Sequence, residues 1–157
     1  MTRRPALIAG MIGIALTLVS ARDIVLYNPS QSLPCGFYLR LAQEPRQGDI
    51  VTIRARDAAP AYAQLRDFTD AGDRFLKRIA ATQGDLVCAN GDQIVAAGRT
   101  LTRLSRDRYG SALPHWDGCR RLGPGEVLLL GDTPDSFDGR YWGPTPIDQI
   151  EGVWRRL

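Results

Sequence analysis

Turn signals divide most of the chain into short apolar segments, and this spacing limits the folds open to it. The turns are rich in glycine, proline and aspartate, as in "RQGD", "TQGD", "ANGD", "LGPGE" and "GDTPD". Between them lie segments of strand length: "FYLRLA", "DIVTIRA", "RFLKRIAA", "DLVCA", "QIVAA", "EVLLL" and "GVWRRL". The one good helical candidate is "APAYAQLRDF", and residues 100–122 show no regular pattern. Short alternating or apolar runs bounded by turns are typical of antiparallel strands, so we expect a mainly β domain.

The N-terminal segment follows a different pattern. Two arginines precede an uncharged, largely apolar run over residues 6–21. As a helix this run spans about 25 Å, slightly less than the ~30 Å hydrocarbon core of a membrane, and Ile24–Leu26 could extend it. We expect residues 1–22 to form a single transmembrane anchor, which places residues 23–157 outside the cytoplasm as one domain. A cleaved signal peptide is the alternative, because Val19–Ala21 resembles a small-residue cleavage site.

Composition and charge narrow the function classes. A chain of 157 residues with 44% hydrophobic content can bury one core but not two. Nineteen of the twenty basic residues are arginine, and the net charge is +3. The arginines alternate with acidic residues, as in "RARD", "LRDFTDAGDR" and "SRDR", instead of forming one stripe. This pattern is typical of a solvated mixed surface, so we expect no nucleic-acid partner.

The three cysteines indicate a disulfide rather than a metal site. They are too few and too widely spaced for a zinc cluster, and we expect neither a metal nor an organic cofactor. An exported domain can form disulfides. We expect the pair Cys88 and Cys119, because a bond to Cys35 would constrain the serine-containing loop described next.

The stretch "NPSQSLPCGFY" predicts a stiff loop that contains two serines. Pro29, Pro34 and Gly36 disfavour a helix, so Ser30 and Ser32 lie on an extended or turning segment. A stiff loop suits a nucleophile, which has to be held in attack geometry. The alternative is that both serines are ordinary turn residues.

Lys77 is the single lysine of the chain, in "DRFLKRIAATQGD". Arginine replaces lysine in most surface roles but cannot act as a base, whereas a buried lysine can have its pKa lowered toward neutrality. On a strand, Phe75 and Ile79 share a face with Lys77 and would desolvate its amine. A neutral amine can take the proton of a serine hydroxyl. The alternative is a single exposed lysine without a function.

A histidine-based site is the competing hypothesis. The chain has one histidine, His115, in the irregular region, where it could serve a Ser-His-Asp triad or pair with Cys35. A lone loop histidine is more often structural or solvent-exposed.

Taken together, the apolar N-terminal segment, "SQSLPCGFY", "GDIV" with "FLKRIAATQGD", and "GDTPDSFDGRYWGP" resemble the S26 signal-peptidase clan. The similarity is greatest to its TraF-type conjugative-transfer peptidases, which mature pilin subunits of type IV secretion machines. It covers almost the whole chain, and the lysine segment and "SFDGRYWG" are its most specific parts.

The resemblance implies roles for individual residues. Ser32 matches the nucleophile and Lys77 the general base, while Ser30 matches a serine that assists the oxyanion hole. In the family the last motif lies beside the lysine and helps to hold it; its matching residues here are Ser136, Asp138 and Arg140.

Three departures from ordinary signal peptidases stand out. Pro34 follows Ser32 by two residues rather than three, and "LPCGFY" replaces a methionine-containing loop; both favour the TraF-type branch. Gly139 stands where a serine is common, which changes the local hydrogen bonding.

The function implied is that of a membrane-anchored serine endopeptidase with a Ser/Lys dyad. Its substrates would be pilin precursors or other proteins bearing signal peptides, with pilin cyclisation as one outcome. A general leader peptidase is the nearer alternative, and a non-catalytic assembly protein of the secretion machine is the farther one.

Overall fold

The computed structural model describes residues 23–157, and its strands form two antiparallel sheets. The first has the order β1-β2-β11-β3-β4-β9-β10 and the second the order β7-β6-β5-β8. The strands are β1 Val25–Asn28, β2 Gly36–Leu41, β3 Ile50–Arg54, β4 Arg74–Ala81, β5 Leu86–Asn90, β6 Gln93–Ala96, β7 Arg99–Thr102, β8 Gly118–Arg121, β9 Glu126–Leu130, β10 Thr145–Pro146 and β11 Ile150–Arg156. The expectation of a mainly β, antiparallel domain is therefore confirmed, and each of the seven expected segments contains a strand.

Helices are short. They are α1 Ala55–Ala58, α2 Pro60–Leu65 and α3 Gly139–Trp142, with a 3₁₀ turn at Ile147–Gln149. The expected helix in "APAYAQLRDF" corresponds to α2, which begins at Pro60 because a proline at the first helical position loses no hydrogen bond.

The expected anchor, residues 1–22, lies outside the described residues. Within residues 23–157 no helix is long and apolar enough to cross a membrane. The expectation that Ile24–Leu26 lengthen the apolar segment is wrong. Val25 and Leu26 belong to β1 and pair with Leu39 and Tyr38 of β2.

The centre of the first sheet is β4, which pairs with β3 on one side and β9 on the other. Side chains alternate between the two faces of a strand. Leu76 accordingly packs with Leu33, Tyr38 and Trp154. Ile79 packs on the opposite face with apolar residues of β3, β9 and β11. Lys77 lies at the centre of this strand and shares the face of Phe75 and Ile79.

The expectation that residues 100–122 are irregular is wrong in part. β7 extends to Thr102 in a hairpin with β6, and Gly118–Arg121 forms β8, an edge strand paired with β5. All four residues of β8 are exposed, so the strand has no apolar alternation that a sequence pattern could reveal. Cys88 and Cys119 lie opposite each other in the β5–β8 register and form a disulfide.

Candidate active site

The serine loop, residues 29–35, connects β1 to β2 and is closed by a buried asparagine. The Asn28 amide donates to the carbonyl oxygens of Ser30 at 2.9 Å and of Leu33 and Pro34 at 3.3 Å each. Its Oδ1 accepts from the Ser30 N–H at 3.1 Å. The Tyr38 hydroxyl donates to the Pro34 carbonyl at 2.6 Å, and Leu33 is buried in the core. These contacts hold the loop in place from its buried side.

Lys77 reaches this loop from the middle of β4. Its Nζ donates to Ser32 Oγ at 2.9 Å and to Ser136 Oγ at 3.2 Å. The Phe75 ring centroid lies 5.8 Å from the same nitrogen. The lysine is only 3% exposed. The structure thus brings together three residues that are far apart in sequence: Ser32, Lys77 and Ser136.

Burial lowers the pKa of Lys77 from about 10.5 to about 8. The main cause is desolvation of the ammonium, which favours the neutral amine. The nearby Asp138 opposes this shift by favouring the charged form, and Arg140 partly cancels Asp138. A large fraction of the amine is therefore neutral in mildly alkaline water.

Asp138 and Arg140 form a buried ion pair behind the lysine. Asp138 is 0% exposed, and its carboxylate accepts from the Arg140 backbone N–H, Nε and Nη2 at 2.7–3.0 Å. It also accepts from the Gly131 N–H at 2.7 Å. Arg140 donates to the carbonyl oxygens of Pro134 and Thr133 at 2.7 and 2.8 Å. A buried pair is stable only when its remaining hydrogen-bonding capacity is satisfied, and this pair ties down the segment that contains Ser136.

The same segment packs directly against the serine loop at Gly131. A Cβ added there would lie 2.1 Å from Ser136 Oγ and 2.8 Å from the Ser32 carbonyl oxygen. The Asp132 N–H donates to that carbonyl at 2.6 Å. At Gly139 an added Cβ would lie 2.7 Å from the Leu129 carbonyl oxygen. The chain therefore has no room at position 139 for the serine that is common in the family.

Ser30 lies next to Ser32 on the open side. Its Oγ is 3.1 Å from Ser32 Oγ and accepts from the Ser32 backbone N–H at 3.2 Å. Both serines, with Lys77 and Ser136, line one cleft of about 550 Å³, whose other walls include Phe75 and Phe137. A polypeptide in this cleft would meet the two hydroxyls and the amine at once.

The residues of the histidine hypothesis lie elsewhere. The His115 side chain is 69% exposed, has Asp117 at 4.0 Å, and does not line the cleft. The Cys35 thiol is exposed and contacts the carbonyl oxygens of Pro29 and Ser30. Within the described part of the chain, no group of three or more His, Cys, Asp or Glu side chains is placed to hold a metal ion.

Three residues of the site were not predicted: Asn28, Gly131 and Asp132. The "GD" that opens the last motif could have suggested a backbone contact, since a glycine permits close approach. Asn28 offers only a weak signal, an Asn-Pro step of the kind that begins turns. Its role depends on the fold of the loop around its side chain.

The chain belongs to the signal peptidase family, peptidase S26, whose model matches residues 4–156. The resemblance inferred from the motifs is thereby confirmed, and the family implies a peptidase that acts on polypeptide substrates.

Two relatives agree with this placement. Two proteins from Escherichia coli, each described as plasmid transfer protein TraF, are 29% and 30% identical to the chain. The alignments cover 94% and 91% of this chain and 92% and 89% of those proteins. Among solved structures, a signal peptidase I from Enterococcus faecalis matches 71% of this chain and 97% of its own, with a TM-score of 0.40 and 21% identity.

Proposed function

We propose that this chain is a membrane-anchored serine endopeptidase that processes exported polypeptides for plasmid transfer, with Ser32 as nucleophile and Lys77 as general base. The main support is the 2.9 Å contact between Lys77 Nζ and Ser32 Oγ, made by a lysine whose burial lowers its pKa to about 8. A base has to be within hydrogen-bond reach of the proton that it removes, and it has to be neutral when it does so. The contact supports the first requirement, and the lowered pKa of Lys77 supports the second because it increases the neutral fraction of the amine.

The reaction begins when neutral Lys77 accepts the Ser32 hydroxyl proton as Ser32 Oγ bonds to the scissile carbonyl carbon. The tetrahedral intermediate collapses to an ester as the C–N bond breaks, and the Lys77 ammonium returns its proton to the leaving amine. Water, deprotonated by the same lysine, then attacks the ester carbonyl; the bond from this carbon to Ser32 Oγ breaks, and the Lys77 ammonium returns the proton to Ser32 Oγ. Ser136 accepts a hydrogen bond from Lys77 and holds the amine toward Ser32 throughout.

The oxyanion would be stabilised by the Ser32 backbone N–H and the Ser30 hydroxyl. In the free site that N–H donates to Ser30 Oγ, so substrate binding has to redirect it toward the carbonyl oxygen. A single oxyanion donor is typically worth about 3 to 4 kcal/mol in the rate. We expect Ser30→Ala to slow cleavage about a hundredfold, because the backbone N–H remains.

The substrate would lie as an extended strand with a small residue before the scissile bond, held by the backbone of the cleft. Plasmid transfer is proposed because two relatives bear that description over nearly their whole length. The substrate proposed here is a pilin precursor. If its own terminal amine replaces water in the last step, the product is cyclic.

Residues 1–22 are proposed as the anchor that holds residues 23–157 on the periplasmic side, near a membrane-held substrate. N-terminal sequencing of the membrane-isolated protein should give Met1 or a residue close to it. A mature N-terminus at Arg22 would instead indicate a cleaved signal peptide.

A general leader peptidase is the second candidate, because the matching family model is described as signal peptidase. Purified full-length protein should be tested on a pilin precursor and on a panel of unrelated signal-peptide precursors, with products identified by mass spectrometry. A dedicated enzyme cleaves the pilin alone, whereas a leader peptidase cleaves the panel. If neither is cleaved, the proposed function is wrong and an assembly role takes its place. If Ser32→Ala cleaves as well as wild type, the protein is a peptidase but Ser32 is not its nucleophile.

A further inference from the structure

A second cavity adjoins the catalytic cleft, and the proposed chemistry does not use it. This aromatic groove has a volume of about 590 Å³. One wall is formed by α2 and the segment after it, the other by the loop over residues 104–113. Its floor is aromatic and includes Phe75, Phe137 and Tyr141. A cavity of this size, lined mainly by apolar and aromatic side chains with a few charged ones, is typical of a ligand site.

The groove is continuous with the cleft that contains Ser32 and Lys77. Phe75, Arg108, Asp135 and Phe137 line both. Phe75 also precedes Lys77 by two residues on the same face of β4, so a chain that passes the amine meets this ring next. A polypeptide bound at Ser32 can therefore extend into the groove without leaving the surface.

The aromatic floor is already assembled. The Tyr62 and Phe137 rings stack with centroids 3.9 Å apart, and Phe137 stacks on Tyr141 at 5.3 Å. Phe75 stacks on Trp142 at 5.2 Å. Rings fixed by mutual packing lose little entropy when a ligand binds, which favours a preformed apolar site.

Two apolar side chains of the outer wall remain largely in solvent. Leu104 is 51% exposed and Tyr109 is 64% exposed. The charges beside them are in part compensated: Arg66 forms an ion pair with Asp107, and its guanidinium also stacks over the Tyr109 ring at 4.4 Å. The wall therefore presents apolar surface that an incoming side chain can cover.

We propose that the aromatic groove is a specificity subsite that takes one large apolar or aromatic side chain of the polypeptide bound at Ser32, at a position removed from the scissile bond. The inference deepens the proposed function and rests on it. Small side chains next to the scissile bond are common in exported proteins and discriminate weakly. A second, distant anchor would let the enzyme select one substrate among many.

The test compares peptides that differ at one position. Each peptide has the same length and the same Ala-Ser-Ala cleavage site. A phenylalanine is placed at one flanking position at a time, on either side of the site. Each such peptide is compared with one that has serine at the same position. Binding to full-length Ser32→Ala in phospholipid vesicles is measured by fluorescence anisotropy. We expect one position, or two on the same face of the extended peptide, at which phenylalanine tightens binding about tenfold or more.

Groove variants decide where this preference originates. Leu104→Ser and Tyr109→Ser should each reduce the phenylalanine advantage while leaving the affinity for the serine peptide unchanged. Leu86→Ser is the matched control, because Leu86 is also 51% exposed but lies on β5, outside the groove. The proposal is overturned if no position prefers phenylalanine, or if the preference survives both groove variants.

Cleavage by wild-type protein is recorded separately on the serine peptides. A phenylalanine preference without any cleavage would leave the subsite in place and contradict the proposed function. Cleavage without a phenylalanine preference would support the proposed function and contradict the subsite.

Photocrosslinking tests the other occupants. A peptide with the photoreactive residue p-benzoylphenylalanine at the preferred position should label residues 62–68 or 104–113. If photoactivatable acyl chains or a second copy of the protein label these residues instead, and saturating peptide does not compete, the groove serves a lipid or a protein contact and the proposal fails.

Discussion

The two sheets of this protein differ in where they place polar groups. In and beside the seven-stranded sheet, Lys77, Ser136, Asp138 and Arg140 are almost fully buried. In the four-stranded sheet the buried residues are apolar, and β8 is exposed along its whole length. The Cys88–Cys119 disulfide links two adjacent strands of that sheet, β5 and β8.

Burying polar groups destabilises a fold unless each finds a partner, so a concentration of them needs a reason other than stability. In the proposed mechanism the reason around β4 is chemical, because burial lowers the pKa of Lys77 and so favours the neutral amine that a base requires. The second sheet has no such group to protect, and a covalent bond compensates for its small core. Arg103 is the exception: it is buried beside the second sheet and donates to the carbonyl oxygens of Gly91, Trp116 and Arg140, which links the two regions.

The largest expected effect comes from Lys77→Met. Cleavage should fall by about 10⁴-fold or more, because a thioether cannot accept the Ser32 proton. The free energy of unfolding should be unchanged or higher. Methionine is similar in length to lysine but carries no charge that has to be desolvated, and the two hydrogen-bond partners of Lys77 Nζ are neutral hydroxyls. Urea unfolding measured beside peptide cleavage checks both. A marked loss of stability would mean that the lysine supports the fold.

The opposite behaviour is expected for the double variant Cys88→Ser with Cys119→Ser. The bond closes a loop of 31 residues' separation, so its loss should lower the free energy of unfolding by about 3 to 4 kcal/mol in the chain-entropy model. The rate per folded molecule should not change. A fall in kcat at a temperature where the variant is fully folded would show that the second sheet shapes the site.

A smaller effect is expected for Asn28→Ala. It removes the amide that closes the serine loop, so the stability should fall by about 1 to 3 kcal/mol, and Ser32 should lose attack geometry, which lowers kcat more than it raises KM. Asn90→Ala is the matched control, because Asn90 is exposed on β5 of the second sheet. If the two variants behave alike, the loop does not need its buried amide.

Local pattern was enough to predict some parts of this molecule. The boundaries of β4 agree with the predicted segment, because its apolar residues and flanking turns all favour a strand. Ser32, Lys77 and Ser136 could be grouped only through the resemblance to a family. The residues that connect them could not be predicted. Gly131 is required because Ser136 packs directly against its backbone, and a local sequence pattern does not reveal such a tertiary contact.

The second sheet and the aromatic groove also could not be predicted from local sequence patterns. β8 is held by backbone pairing and a disulfide, so its residue types do not indicate a strand. The groove is assembled from α2, β4, α3 and two loops, and the rings that line it resemble ordinary core residues until the fold brings them together.

The central claim is that burial makes Lys77 the base, and the pH dependence of kcat/KM tests it most directly. The rate should rise with pH through about 8, since only the deprotonated amine takes the Ser32 proton and kcat/KM reports ionisations of the free enzyme. The profile is measured for wild type, His115→Ala and Lys77→Arg. The account predicts the same acid limb in wild type and His115→Ala, and no activity at any pH in Lys77→Arg, because a guanidinium stays protonated. An acid limb that disappears in His115→Ala, or an active Lys77→Arg enzyme, would contradict it.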